Sequence, residues 1–179
     1  MAARVCRYLK YTKHVGVKFT GKLDSLESYS DASYADCKGS LTTSGYLVKL
    51  FGDPIAGKTK KINLVSLSTC EAEYVAMSIA CQELISLYSS ISLMLDRNFA
   101  PMTLYCDNMA AEVNALTCKN KLRHVIEIRY HYVRECVAKG LVKIEWICSK
   151  NQLADIFTKP LALEQHTRLT ESILNFKLD

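Results

Sequence analysis

The nine residues YSDASYADC, Tyr29–Cys37, set an aspartate inside a segment that alternates like a β-strand. Tyr29, Asp31, Ser33 and Ala35 fall on one face, and Ser30, Ala32 and Tyr34 on the other. A carboxylate in a half-buried strand is costly unless something neutralises it. Helix capping and turn formation account for many isolated aspartates, but neither applies in mid-strand. Asp31 therefore needs a partner, supplied by the chain or taken from solution.

The chain around that strand has a legible order. Residues 2–12 carry Val5, Tyr8 and Leu9 at helical spacing, a short amphipathic helix. Gly16 and Gly21 flank VKFT, a candidate strand. After the Asp31 strand come a turn-rich DCKGSLTTSG and a strand YLVKLF, ended by Gly52-Asp53-Pro54. The lysine-rich GKTKK then leads into INLVSL as a third strand. Short connections make these three an antiparallel meander. The period next becomes helical: Leu84, Leu87, Tyr88, Ile91 and Leu95 form one stripe of a helix running from about Thr69 to Leu95. MTLYC is a fourth strand reaching Asp107, followed by a short helix and the basic CKNKLRH. A helix then shows Ile126, Tyr130, Val133 and Val137 on one face, and Gly140 stops it. LVKIEWI is a fifth strand, NQLADIFTK a short helix stopped by Pro160, and a polar helical tail ends the chain. A meander followed by helix-linked strands implies an α/β fold with a mixed sheet and helices on its faces.

Composition narrows the function classes. The 179 residues suit one domain with a real core, and 49% hydrophobic with 23% charged residues is ordinary globular composition. A net charge of +5 permits a polyanionic partner without demanding one. The eight cysteines show neither CxxC pairs nor Cys/His clusters, and Cys81 and Cys106 sit in apolar runs. They read as reduced thiols of an intracellular protein. No uninterrupted apolar run is long enough to span a bilayer, so no membrane partner is expected.

Four acids stand where chemistry would be expected: Asp31 in the first strand, Glu71 or Glu73 at the start of the long helix, Asp107 at the end of the fourth strand, and Asp155 after the fifth. Asp107 doubles as a candidate helix cap and Asp155 as a solvated helix residue, while Asp36 beside Gly39 reads as a turn residue. The two glutamates separate locally. Ser68-Thr69-Cys70-Glu71 is a capping box, which gives Glu71 a structural role and leaves Glu73 free. By the same pattern Ser149 would cap the short helix and leave Asp155 free. Clustered carboxylates imply protons or hard cations between them, and magnesium takes oxygen ligands while keeping water for a phosphate substrate.

Five motifs in order turn that spacing into a resemblance. YSDASYAD with TTSGYLVKL, then SLSTCEAEYVAM, LYCDN, IEIRYHYVRE and NQLADIFTKPL, together resemble the ribonuclease H domain of copia-type retrotransposon Pol polyproteins. The likeness runs from about Tyr29 to Leu161, and AARVCRYLKYTKHVGVKF looks like the segment that joins the reverse transcriptase to that domain. It implies a remnant of that joining segment at 1–22, a ribonuclease H-like domain at 23–161 and a helical tail at 162–179.

The implied fold is a five-stranded mixed sheet, its first three strands antiparallel, with flanking helices. The implied catalytic and metal-holding residues are Asp31, Glu73, Asp107 and Asp155, with two magnesium ions, or manganese in their place. They would activate water and stabilise the departing 3′ oxygen in an endonucleolytic cut of the RNA strand of an RNA–DNA hybrid. Lys58, Lys60, Lys61, Lys119, Lys121 and Arg123 are candidates to hold phosphates. The implied partners are the hybrid and the reverse transcriptase body of the same polyprotein, in the cytoplasm, a virus-like particle or the nucleus.

The sequence departs from the family pattern in three places. PIAGKTKK lacks the usual tryptophan, HVIEIRYH is one residue longer than the common form, and the loop ICSKN carries no histidine. No Y-x-D-D polymerase motif occurs, so this chain alone is no reverse transcriptase. An inactive transposon-derived binding or scaffold module of the same fold is the alternative. An integrase shares the metal logic but is disfavoured by the EAEY and LADIFTK contexts and by the lack of a His/Cys zinc module.

Overall fold

A computed structural model describes residues 2–33, 42–62, 68–108 and 124–177, and of the residues 124–128 and 130 the backbone alone. Helix α1 is Ala2–Thr12; strands β1, β2 and β3 are Leu26–Ser33, Thr42–Leu50 and Asp53–Ile62; helix α2 is Thr69–Leu95. Strand β4 is Met102–Cys106, helix α3 His124–Ala138, strand β5 Val142–Trp146 and helix α4 Leu163–Leu174, with two 3₁₀ turns, Ser149–Asn151 and Leu153–Phe157, between β5 and α4. The sheet order is β3-β2-β1-β4-β5. Both β1/β2 and β2/β3 are antiparallel, whereas β4 runs parallel to β1 and β5 parallel to β4. The strand carrying Asp31 is thus the middle of a five-stranded mixed sheet, as expected.

Both faces of the sheet are covered. Tyr74, Met77, Cys81 and Leu84 recur at helical spacing along α2 and are fully buried against Leu26, Tyr46, Val48, Leu104 and Val142, with Val133 of α3 in the same cluster. On the opposite face Leu47 meets Leu153, Leu169 and Ile173, with Tyr29 and Phe157 packed against them. The tail expected at 162–179 therefore docks, in its described residues 162–177, through α4. Burial of a leucine at such a site is worth about 2–5 kcal/mol, judged by truncation to alanine.

Helix α2 starts where expected. The Ser68 hydroxyl accepts a hydrogen bond from the Glu71 N–H at 3.2 Å, and the helix closes on Asp96 in the left-handed region, whose N–H reaches the Ser92 carbonyl. On length and composition alone α2 is apolar enough to cross a membrane. Here its buried residues, Ala72 to Leu84, lie in the core. The Ile126 and Tyr130 side chains expected on the α3 stripe, the short helix after Asp107 and the turn residue Asp36 lie outside the described residues. The six cysteines among the described residues are free thiols.

Three sequence expectations fail locally. VKFT forms no strand; instead the Lys18 N–H bonds the Leu174 carbonyl, and Thr20 and Gly21 donate to Asp53. Asp53-Pro54 does not lie in the turn after β2 but opens β3, because the connection is a two-residue hairpin of Phe51 and Gly52, both at positive φ. The Phe51 ring, tilted against Phe99 and under the Arg97 guanidinium, makes contacts that offset the strain of its backbone. The third strand is the lysine run itself and not INLVSL, of which 63–67 lie outside the described residues. β3 is an edge strand, and lysines with a proline are how such an edge is kept solvated and unpaired, which erases the apolar alternation that marks inner strands.

Asp53 ties the chain's two ends to this hairpin. Its carboxylate accepts from the Thr20 and Gly21 amides, the Thr20 hydroxyl and the Asn175 side chain, all at 2.8–3.0 Å. Burial would raise its pKa, but the Gly21 and Thr20 amides, the Thr20 hydroxyl and the Lys49 charge together hold it below the usual carboxylate range. By contrast α1 buries no residue, and Val5, Tyr8 and Leu9 are exposed. Deleting residues 2–12 should shift unfolding free energy by no more than about 0.5 kcal/mol, while Asp53→Ala should lower the melting temperature clearly. Denaturant and thermal melts of the two variants test both outcomes, and strong hydrogen-exchange protection of the α1 amides would contradict the first.

Candidate metal centre

The acids converge because of strand register. β1 and β4 run parallel with Tyr29 paired to Tyr105, and two residues further on each strand comes to an aspartate, Asp31 and Asp107. The stacked Tyr29 and Tyr105 rings, 4.9 Å apart, hold that register from one face. Asp31 is 1% exposed, its carboxylate on the side of the sheet that the turn Leu153–Phe157 covers.

That turn brings the third acid. Gln152, fully buried, donates from Nε2 to the Ser30 carbonyl at 3.0 Å and accepts from the Ala154 N–H at 3.2 Å, which caps the turn and pins it to β1. The Thr59 hydroxyl bonds the Phe157 carbonyl at 2.7 Å from the other side. Gly45 pairs with Asp31 across β1/β2, and a Cβ there would stand 2.6 Å from the Phe157 Cβ and 2.8 Å from the Thr158 Cγ2. Only glycine lets the turn lie so close. Asp155, 2% exposed, is thereby set beside Asp31. One carboxylate oxygen each from Asp31, Asp107 and Asp155 lie within 4.8 Å of one another.

Glu73 stands at the rim of this triad. From the first turns of α2 its carboxylate accepts the Ala32 backbone N–H, one residue beyond Asp31, and feels the charges of Asp31 and Asp107. Neither glutamate is among the three clustered acids, and Glu71 lies at the capping position. Ser149 does not cap a helix. Its hydroxyl donates instead to Asp107 Oδ2 at 2.8 Å, and Trp146 Nε1 bonds the Asp107 carbonyl at 3.2 Å. The cap of the turn carrying Asp155 is Gln152, because the chain forms two separate 3₁₀ turns with the cap between them.

The charges are strained in the direction expected of crowded acids. Burial, then the Asp31 and Asp107 charges, push Glu73 up to about 9. Burial raises Asp155 to about 6 against the pull of Lys159, and burial raises Asp31 despite hydrogen bonds from Thr158 and the nearby Lys159. Lys159 Nζ sits 2.8 Å from Asp155 Oδ1 and 3.6 Å from Asp31 Oδ1, while the Thr158 hydroxyl bonds Asp31 Oδ2. Three carboxylates with no sulfur or imidazole among them form a hard-oxygen set, which suits a divalent cation such as Mg²⁺ or Mn²⁺ and not a thiophilic metal. A cleft of about 550 Å³ opens beside Asp155, lined by Ser149, Lys150, Gln165 and Arg168.

The basic candidates are more scattered. Lys58, Lys60 and Lys61 are exposed along β3, and alternation sends Lys58 and Lys60 to one face and Lys61 to the other. Lys119, Lys121 and Arg123 lie outside the described residues. Sequence reasoning missed Lys159, Thr158, Gln152 and Gly45, and gave Ser149 the role of a cap. The i, i+4 spacing of Asp155 and Lys159 was a legible signal for the first.

No family model matches the chain. It is 35% identical over 168 residues, 89% of the chain, to the retrovirus-related Pol polyprotein from transposon RE1 of Arabidopsis thaliana. It is 32% identical over 160 residues to that from transposon TNT 1-94 of Nicotiana tabacum. The chain spans only 11% and 12% of the lengths of these two relatives. Among solved structures it resembles ribonuclease H1 of Halobacterium salinarum, with a TM-score of 0.55 and 16% identity over 75% of this chain and 94% of that one. A ribonuclease H1 solved in complex with an RNA/DNA hybrid matches with a TM-score of 0.52 and 11% identity over the same shares.

Two outcomes follow from the geometry. Glu73 and Asp155 have folded-state pKa values above their unfolded ones, so their contribution to stability is full at low pH and is lost as pH rises through the unfolded and then the folded value. Without divalent cations the melting temperature should fall between pH 5 and 8, and Glu73→Gln should flatten that slope. The second outcome concerns Gly45→Ala, which should cost about 1–3 kcal/mol by overpacking and weaken Mg²⁺ binding by pushing the Asp155 turn outward. Calorimetric Mg²⁺ titration beside a urea melt checks this, and unchanged affinity would show that the turn tolerates the methyl group.

Proposed function

This chain is a homologue of copia-type retrotransposon Pol polyproteins with a ribonuclease H fold, and on that premise we propose that it is an endonuclease that hydrolyses the RNA strand of RNA–DNA hybrids during reverse transcription. The observation that carries the reading is the convergence of Asp31, Asp107 and Asp155 within 4.8 Å where β1 and β4 end, with Glu73 alongside. The fold and the homology support a ribonuclease H-type function at the coarser level, and a ribonuclease H1 of the same fold has been solved with a hybrid.

In this reading Asp31, Asp107, Asp155 and Glu73 hold magnesium. Divalent cations held by these residues would supply Lewis acidity for activating water and stabilising developing charge. The chain's own residues position the rest. Thr158 fixes one oxygen of Asp31 and Ser149 one oxygen of Asp107, so the carboxylates keep their orientation when substrate enters. Gln152 holds the Asp155 turn to β1, and the buried floor beneath Asp31 keeps bulk water away from that side. The cleft beside Asp155 leaves room for the backbone at the scissile phosphate. Substrate choice rests on groove shape and 2′-hydroxyl contacts, not base sequence. Exposed basic residues such as those on β3 serve as phosphate contacts.

Residues 1–22 act as the joining segment to a polymerase body in the same polyprotein, with Val5, Tyr8 and Leu9 of α1 facing it. Support comes from the exposure of these side chains and from relatives many times longer than this chain.

The test is Mg²⁺-dependent cleavage of a labelled hybrid beside single-stranded RNA, double-stranded RNA and DNA. The parent should cut only the hybrid. Asp31→Asn and Glu73→Gln should lose at least about a hundredfold in rate, on the scale set by removing one group that stabilises the transition state, while Glu71→Gln, which can still cap α2, should keep it. Asp31→Asn should also be as stable as the parent or more so in the absence of Mg²⁺, since it relieves carboxylate repulsion. Equal cutting of free RNA would overturn the ribonuclease H reading, and an inactive Glu71→Gln beside an active Glu73→Gln would reverse the glutamate assignment.

A further inference from the structure

We propose that Lys159 is a tethered stand-in cation: in the metal-free protein its ammonium occupies the charge-compensating position among the acids, and it is displaced when a divalent ion binds. The inference rests on the acids being a metal centre and adds a competitor that the chain itself supplies. The ammonium lies 2.8 Å from Asp155 Oδ1 and 3.6 Å from Asp31 Oδ1, so it bridges two of the three carboxylates that the metal would use. Those carboxylates are 3% and 2% exposed, whereas the lysine side chain is 37% exposed. The acids have nowhere to go, and the cation has an open side.

Chain geometry fits a removable plug. The Lys159 backbone is anchored, its N–H donating to the Asp155 carbonyl at 3.1 Å, and Pro160 fixes the next residue's φ. The four-carbon stem beyond that anchor is flexible and carries a compact point charge. Asp107 adds a third negative charge facing the ammonium, and among the described residues no other ion pair to Asp31 or Asp155 is seen. A divalent ion coordinated by the Asp31 and Asp155 oxygens at about 2.1 Å would stand only a few ångströms from the ammonium, and like charges at that distance in a buried site repel strongly. One of the two must leave, and only the lysine is tethered loosely enough to swing into solvent. Metal affinity is therefore lower than the carboxylates alone would give, and the empty site is protected from the repulsion of its own acids.

The experiment uses the full chain. Mg²⁺ is titrated calorimetrically into the parent, Lys159→Met and Lys159→Arg at neutral pH. In parallel, mass spectrometry follows acetylation of Lys159 in the parent by an amine-reactive ester, with and without saturating Mg²⁺. Removing one unit charge should tighten Mg²⁺ binding about tenfold or more in Lys159→Met, as one pKa unit of interaction corresponds to tenfold. Lys159→Arg, which keeps the charge, should stay within about threefold of the parent, well inside that unit. Without metal Lys159→Met should melt lower than the parent, and saturating Mg²⁺ should restore it. Acetylation of Lys159 should speed up several-fold on Mg²⁺ loading. If the parent binds no Mg²⁺, the metal-centre reading falls and this inference with it. If the parent binds Mg²⁺ but Lys159→Met binds no tighter, or if Lys159 acetylates at the same rate loaded and unloaded, the stand-in role alone is overturned. Should Lys159→Met fail to fold, the acetylation rates of the parent decide.

Discussion

A carboxylate at 1% exposure in the central strand of a five-stranded sheet is the constraint from which the rest of this structure follows. Leaving Asp31 ionised and alone would cost more than most single interactions in a domain can return. The chain answers with a hydroxyl from Thr158, an ammonium from Lys159 and two further carboxylates that make the place attractive to a divalent ion. Asp155, Thr158 and Lys159 come from the Leu153–Phe157 turn and the residues directly after it, and Asp107 from the end of β4, so the site exists only when the sheet and that turn are assembled together.

The same constraint explains features that look unrelated. Gly45 and Gly57 lie on neighbouring strands, and both leave room for Phe157, whose ring carbon would stand 2.9 Å from a Cβ at Gly57. The aromatic ring lies across the two glycines as a key in a slot. Gln152, a fully buried polar side chain, is tolerated because Ser30 and Ala154 satisfy it, and the connection it makes is between the strand and the turn that carry two of the acids. Stability and site geometry are coupled here. A change that loosens the turn also pulls Asp155 away from Asp31.

The periphery follows a looser logic. The hairpin at Phe51 and Gly52, the Asp53 carboxylate and Asn175 gather the two chain ends at the sheet edge far along the strands from the acids. Helix α1 extends from that knot without burying a side chain. Its stability as a helix must come from local propensity or from a surface outside this chain, because eleven residues are marginal alone in water.

Much of this was legible from residue order. The alternation around Asp31, the helical stripe from Thr69 to Leu95, the MTLYC and LVKIEWI strands and the capping role of Ser68 follow from local periods and propensities, which act within a few residues and leave their mark in sequence. Asp31, Glu73, Asp107 and Asp155 could be nominated because a strand-borne acid and a linked set of motifs are unusual. Other features depended on distance in space. The strand on the lysine run was hidden because an edge strand, wet on its open side, has no need of apolar alternation. Ser149 was read as a cap by its position, yet tertiary approach turned its hydroxyl to Asp107. Gln152 and Gly45 carry no local signature of their roles, and Lys159 shows only its i, i+4 spacing from Asp155, since an amide, a missing side chain and an ammonium acquire their full meaning from the groups that the fold brings within a few ångströms. Local periodicity sets the elements and names the acids; only packing across β1, β2 and the Asp155 turn decides what stands between them.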